Sequence, residues 1–493
     1  MHITFLNPQG NFDPRDSHLT DHPDFGGQLV YVKELAIQLG RLGHKVDILT
    51  RRIEDPDWPE FAEAEDGYPG QKNVRILRFP CGPKHFLEKE DLWPYIAEWV
   101  DNVRTFYQAE GALPDIHTAH YADGGLAGTM LNELDSTPFT FTSHSLGAQK
   151  LDRLLTKEMP FDEAVDKFRF DKRLAAERCA LAHSALIITS SEKERLHHLA
   201  HKVYRDAVDV SDDKRFKRIP PGVNPEIFSE TSTYENEQQV ATLIEETLHR
   251  DIPMMRRHLP MVVCSSRLVE KKNIIGLVRA WAHSETLMAS ANLLISVTGD
   301  PYPFRAAPGT FTPQEDAILD ELRQLIDERN LWPCVMTLSL KTQHDLAAAY
   351  RHLAKNRQGV FALTAFHEPF GLSPLEALAC GMPVVVTNSG GPAESLKDDA
   401  GVLVDPNEPD DIASGLLKLV QREDCWHSYR EAGMARVMQY YTWPRSAVEY
   451  EKTLQAVVDS KPTPHKTHVC PEWFRHPDND KFPSDWLLKA WSR

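Results

Sequence analysis

The segment His367-Glu368-Pro369-Phe370-Gly371-Leu372-Ser373-Pro374-Leu375-Glu376-Ala377 holds the residue types and spacing richest in chemistry in this sequence. It follows an apolar run ending at Leu363 and precedes a predicted helix. Carboxylates accept hydrogen bonds from sugar hydroxyls, so Glu368 on the loop and Glu376 in the first helical turn can hold a hexose and a ribose. Between them the Gly371 and Leu372 amides, free at a helix start, suit the diphosphate that joins such sugars. A plainer account makes Glu376 a helix-dipole partner and Glu368 a surface charge. Ser266-Arg267-Leu268-Val269-Glu270-Lys271-Lys272-Asn273, in the same half of the chain, tips the balance. Arg267 and Lys272 on one strand-to-helix loop can neutralise a diphosphate and stabilise charge growing on a leaving group. By itself that loop would pass for a solvated basic turn.

The first half carries weaker signals that point the same way. Asp24-Phe25-Gly26-Gly27-Gln28 lies between the first strand and the first helix, where adjacent glycines let a ligand approach the backbone. It is not the G-x-G-x-x-G fingerprint, which argues against a dinucleotide cofactor. Thr142-Ser143-His144-Ser145-Leu146-Gly147 ends another strand and places His144 at its carboxyl end, where ligands bind in parallel sheets. No Asp is identifiable that would complete a nucleophilic triad with this His. Lys89, Tyr121, Ser145, Lys150 and Arg173 supply cations and hydroxyls that, converging, would hold a phosphorylated acceptor, because a dianion needs several donors to leave water. Asp55-Pro56-Asp57 sits in a proline-rich loop, and the pairs His18 with His22 and His197 with His201 lack the Glu and the third ligand of a zinc site. No obligatory metal is expected; Mg2+ is allowed but not required.

These loops need a scaffold of parallel strands, and the sequence supplies two sets. Strands are predicted at 2–7, 45–50, 74–79, 115–118, 139–143 and 185–190, and again at 261–266, 292–299, 335–338, 360–363, 383–387 and 401–404. In the first helix Val32, Leu35, Ala36 and Leu39 share a face, and Gly43 is placed to cap it. The proline-rich, acidic stretch from Pro220 to Pro260 reads as the link between the sets, and Thr442-Trp443-Pro444 as a helix kink or restart. With 493 residues, two α/β domains are the natural expectation. A net charge of -17 argues against a nucleic-acid or anionic-membrane surface, and no apolar run reaches the ~18 residues that span a bilayer. The seven cysteines, odd in number and without a C-x-x-C pair, read as buried or incidental thiols in a reducing compartment, unpaired therefore, and the expected location is cytoplasmic.

Taken together, Gly26-Gly27-Gln28, His144-Ser145-Leu146-Gly147, Ser266-Arg267 with Lys271-Lys272-Asn273, and Glu368 through Glu376 resemble the family-4 retaining glycosyltransferases, and most of all the sucrose-phosphate synthases among them. The likeness runs from about His2 to Tyr450 and is strongest at Phe5-Leu6-Asn7-Pro8-Gln9-Gly10 and at Thr142 through Lys150. It implies a GT-B fold: two Rossmann-like domains facing a cleft, with a C-terminal helix crossing back to the first. The implied domains are 1–222, completed by 440–493, for the acceptor, and 223–439 for the nucleotide sugar. It further implies UDP-glucose with Arg267 and Lys272 on its diphosphate, Glu376 on the ribose, and Glu368 and His144 on the hexose, with Gly27, Phe370, Gly371 and Leu372 also lining the donor. The implied acceptor is fructose 6-phosphate on Gln28, Lys89, Tyr121, Ser145, Lys150 and Arg173. Two departures stand out: Ser143 where related synthases carry Gly, and Asp171 just before Lys172-Arg173. A GDP-mannose donor giving mannosylfructose phosphate, free fructose as acceptor, and a non-catalytic nucleotide-sugar sensor stay open.

Overall fold

The computed structural model describes residues 1–17, 26–156, 159–397, 399–460, 470–477 and 481–492. Asp24, Phe25, His18 and His22 lie outside the described residues. The chain forms two compact units: Met1–Pro220 with Ser446–Arg493, and Pro221–Arg445.

The first unit is built on eight strands: β1 His2–Leu6, β2 Lys45–Arg51, β3 Glu65–Asp66, β4 Val74–Phe79, β5 Ile116–His120, β6 Phe139–Thr142, β7 Leu186–Thr189 and β8 Phe216–Arg218. Their order is β3-β4-β2-β1-β5-β6-β7-β8, parallel throughout except that β3 runs antiparallel to β4. Ile3, Phe5, Ile48, Phe139 and Phe141 are fully buried, as strands covered on both faces require. The chain runs from β1 outward through β2 and β4, then returns to β1's other side at β5, so direction reverses between β1 and β5. Helix Gly27–Arg41 follows β1 and helix Tyr121–Asp135 follows β5. Gly43 takes φ +95 just beyond the first of these.

The second unit holds β9 Met261–Ser265, β10 Asn292–Ser296, β11 Val335–Leu338, β12 Val360–Leu363, β13 Val384–Thr387 and β14 Val402–Val404. All are parallel, in the order β11-β10-β9-β12-β13-β14, so the reversal falls between β9 and β12. Helix Glu237–Asp251 occupies the linking stretch, and helix Trp443–Ser460 starts where Pro444 forces a restart. From Ser446 that helix belongs to the first unit, where the Tyr450 hydroxyl lies 3.2 Å from Thr142 Oγ1.

The expectation of unpaired cysteines fails at two positions. Cys179, buried in helix Phe170–His183, is joined by a disulfide to Cys470, with Cα atoms 5.6 Å apart across 291 positions of sequence. Cys81, Cys264, Cys334, Cys380 and Cys425 are free thiols. Among the described residues no helix is long and apolar enough to cross a membrane.

Candidate active site

Each reversal of strand order opens a crevice at the carboxyl ends of its two central strands, the standard place for a ligand in an open α/β sheet. In the second unit the crevice lies between the loops after β9 and β12. Lys272 ends a short 3-10 turn on the first loop, and its Nζ donates to Glu368 Oε2 on the second at 2.7 Å. Both side chains are only 14% exposed, so the pair is largely withdrawn from water. Asn273, at φ +52, fixes the turn: its Nδ2 donates to the Thr364 and Pro406 carbonyls at 3.0 and 2.9 Å, and its Oδ1 caps the next helix at Gly276. Arg267 stands exposed on the same loop.

Glu368 is held from behind by a loop that sequence reasoning missed. Its N–H donates to the Ser389 carbonyl at 3.0 Å, and its own carbonyl accepts from Gly391 N–H at 2.9 Å. Gly390 sits between at φ +109, where a Cβ would lie 1.9 Å from the Glu368 oxygen. Ser389-Gly390-Gly391 follows β13 directly, and adjacent glycines after an apolar strand are the same signal that drew attention to Gly26-Gly27.

Gly371, at φ +91, opens helix Leu372–Ala379 and places the Leu372 amide at its start. Phe370 packs against Tyr441 with ring centroids 6.1 Å apart. Glu376 is the fifth residue of this helix, not in its first turn as the sequence reading had it. The left-handed turn at Gly371 delays the helix start to Leu372, and the helix-dipole explanation for Glu376 falls away with it.

In the first unit Gly27 is the first residue of its helix and Gln28 Nε2 donates to Asn7 Oδ1 at 3.3 Å. His144, held at φ +53, forms a hydrogen bond between its Nε2 and His120 Nδ1 at 2.7 Å, and His120 Nε2 meets Thr118 Oγ1 at 2.8 Å. Tyr31 presents its edge to His144 at 4.9 Å. His120 was overlooked, though it ends β5 just as His144 follows β6. Burial pushes His144 down to about 3 and His120 well below the ordinary imidazole range, so both rings are neutral near pH 7.

Neutral buried rings make folding sensitive to acid. Their folded-state pKa is depressed, so their contribution is complete above the unfolded value near 6.5 and is lost as pH falls below it. His117, 2% exposed and likewise pushed down to about 3, shows the scale. From pH 7 to 5 it should cost about 2 kcal/mol. Thermal unfolding at pH 5 to 8 is expected to show that loss in wild type and a shallower slope in His117→Gln; parallel slopes would contradict it.

Arg173, Tyr121 and Ser145 come together. The Arg173 guanidinium lies 4.7 Å from the Tyr121 ring centroid, and Nη2 donates to the Ser145 carbonyl at 2.8 Å and hydroxyl at 3.3 Å. Its Nε donates to Glu177 Oε1 at 3.0 Å. Glu177, 1% exposed, also accepts from Gly147 N–H at 2.9 Å and from the Tyr204 hydroxyl, locking the His144–Gly147 turn to the Arg173 helix. Burial raises its pKa, the Arg173 charge opposing. Its place four residues after Arg173 was the readable signal. Lys150 Nζ lies 3.9 Å from Glu90 Oε1, beside Lys89 in the turn Lys89–Asp91, and 3.9 Å from the Phe168 ring centroid. The two departures are accommodated: Ser143 Oγ donates to Glu194 at 2.7 Å, and Asp171 pairs with Lys172 at 3.4 Å. No group of three or more His, Cys, Asp or Glu suited to a metal occurs among the described residues.

Both halves of the chain match glycosyltransferase families: residues 26–211 the glycosyl transferase 4-like domain and residues 248–436 glycosyl transferases group 1. A probable sucrose-phosphate synthase of Thermosipho melanesiensis is 40% identical over 451 residues, covering 91% of this chain and 95% of its own. A sucrose-phosphate synthase of Spinacia oleracea is 30% identical over 534 residues, 97% of this chain and 49% of its own, so the chain spans about half the length of that plant relative. Among solved structures, the sucrose-phosphate synthase of Thermosynechococcus elongatus superposes with a TM-score of 0.68 at 23% identity, over 93% of this chain and 99% of its own, and shares the fold. The chain belongs to the family-4 glycosyltransferases of GT-B fold, and is a sucrose-phosphate synthase-like hexosyltransferase.

Proposed function

We propose that the chain transfers glucose from UDP-glucose to fructose 6-phosphate with retention at the anomeric carbon, giving sucrose 6-phosphate and UDP. The observation that carries this reading is the Lys272–Glu368 pair, 2.7 Å across the crevice of the second sheet. A nucleotide sugar brings a diphosphate and a hexose to one place, and this pair offers a cation for the first and a carboxylate for the second. Arg267 joins Lys272 on the diphosphate, the Gly371 and Leu372 amides and the Phe370 turn border it, and Glu376 takes the ribose. Gly27 lends a helix-start amide to the donor.

The acceptor phosphate falls to Arg173, Lys150 and Lys89 with the Ser145 and Tyr121 hydroxyls, and Gln28 contacts the sugar. In the transfer, the bond between the anomeric carbon and the diphosphate oxygen breaks as the acceptor hydroxyl oxygen bonds to that carbon from the same face. The acceptor proton passes to the departing phosphate oxygen, whose charge Lys272 and Arg267 stabilise. His144, neutral, hydrogen-bonds the hexose without adding charge. No metal is required by this route.

The test pairs UDP-glucose, GDP-mannose and ADP-glucose with fructose and fructose 6-phosphate, following nucleotide release and sugar product. Product from UDP-glucose and fructose 6-phosphate alone is expected; another productive pair overturns the substrates, and donor binding without transfer makes the chain a sensor. Arg173→Lys keeps the charge but loses the planar fork, so KM for fructose 6-phosphate should rise about tenfold while KM for UDP-glucose holds. An unchanged acceptor KM would remove Arg173 from the phosphate site.

A further inference from the structure

The loop after β1 and the helix after β5 carry buried polar atoms that no described residue satisfies. The helix after β5 is pressed against β1: at Gly124 a Cβ would lie 2.3 Å from the Leu6 carbonyl oxygen, so a larger residue would drive the two apart. Tyr121 makes the entry turn at φ +66. This close approach sets Asp123 beside the loop after β1, where Gln9 N–H donates to Asp123 Oδ2 at 2.7 Å.

Three side-chain atoms remain buried there without a hydrogen-bond partner among the described residues: Asn7 Nδ2, Gln9 Oε1 and Asp123 Oδ1. Asn7 is fully buried and Asp123 is 3% exposed. The bond from Gln28 to Asn7 Oδ1 fixes the Asn7 amide and leaves its Nδ2 as the unused donor. Unmet buried polar groups are unfavourable, so three of them, on the loop after β1 and the helix start facing it, weigh against the unliganded fold. Each such group calls for a partner that the described residues do not supply.

The composition of the set selects the ligand. One donor and two acceptors, one of them a carboxylate, repel a phosphate but match hydroxyl groups, which donate and accept at one atom. Burial pushes Asp123 up to about 6, against the Gln9, Gly124 and Asp123 amides and the Arg173 charge. A hydroxyl donating to Oδ1 would add to that opposing group. Gln28, an acceptor residue in the reading above, donates to Asn7, and the Arg173 charge acts on Asp123, so a ligand whose phosphate meets Arg173 has its ring beside this set.

We propose that Asn7, Gln9 and Asp123 form a hydroxyl-recognition subsite for the sugar ring of the phosphorylated acceptor, with Asp123 and Gln9 accepting from its hydroxyls and Asn7 donating to them. This rests on the acceptor reading above. The phosphate residues provide affinity for any sugar phosphate; this set decides which ring is accepted.

Asp123→Asn retains an oxygen for the Gln9 amide, and Gln9→Ala retains the amide itself, so each variant keeps the bond that ties the loop to the helix. Both are assayed with fructose 6-phosphate, with analogues each lacking one ring hydroxyl, and with inorganic phosphate as competitor. KM for fructose 6-phosphate is expected to rise about tenfold in each variant. The inhibition constant of phosphate and KM for UDP-glucose should not move, and one deoxy analogue should be handled alike by wild type and Asp123→Asn. If acceptor KM stays at the wild-type value in both variants, or rises only in step with the phosphate constant, the subsite is overturned. A wild type that transfers to no sugar phosphate overturns the acceptor reading and the subsite together.

Discussion

Lys272→Ala is expected to lower kcat about a thousandfold with UDP-glucose and fructose 6-phosphate, because in the proposed transfer it removes a fixed cation from the oxygen on which leaving-group charge develops. It also strips Glu368 of its 2.7 Å partner in a site where each side chain is 14% exposed. Leaving one member of such a pair alone costs about 3 kcal/mol, so the variant should melt earlier as well as turn over slowly. The double variant Lys272→Ala with Glu368→Ala separates the effects: stability should largely return while kcat stays low. A single variant within tenfold of wild-type kcat would remove Lys272 from the chemistry.

Gly390→Ala is the second large effect, and it acts with no change of charge. The added methyl would meet the Glu368 carbonyl at 1.9 Å, at a φ of +109 that side-chain-bearing residues rarely adopt. The bridge between Gly390 and Glu368 must then open and carry the Glu368 loop with it. A displacement of about 1 Å at a positioning residue costs about a hundredfold, and that is the fall expected in kcat/KM for UDP-glucose. Gly309→Ala is the control, since at φ +86 it shares the backbone strain while a Cβ there meets nothing within 4 Å. Equal losses in both variants would mean that the donor loop has no special dependence on Gly390.

The strands were legible because buried parallel strands are nearly continuous apolar runs, as at Val384–Thr387 and Val360–Leu363. The two that escaped are edge strands: β3 is the dipeptide Glu65–Asp66, and β8 reads Phe-Lys-Arg among further cations. Edges carry charge to discourage pairing with other chains, and that erases the apolar signature. Residue types on the loops marked Lys272, Glu368 and His144, and a cation on a helix marked Arg173, yet the contacts among such residues depend on strand order, which local sequence does not encode. Lys272 and Glu368 are 96 positions apart and meet only because β9 and β12 are neighbours. Cys179 and Cys470 were hidden for the same reason, with no motif to betray a partner 291 positions away. Glu376 was displaced from its expected turn by one backbone angle, at Gly371.

The second unit leaves the first after Pro220 and returns at Ser446, and its own ends lie side by side where Val223 bridges Thr442. Such a unit is a cassette: its entry and exit are already joined, so it can be inherited, exchanged or duplicated as a block without rethreading its host. If the donor is held by this unit and the acceptor by the other, as proposed above, donor preference can drift independently of acceptor preference, since the two are then written in segments of chain that recombination can separate at a single paired seam.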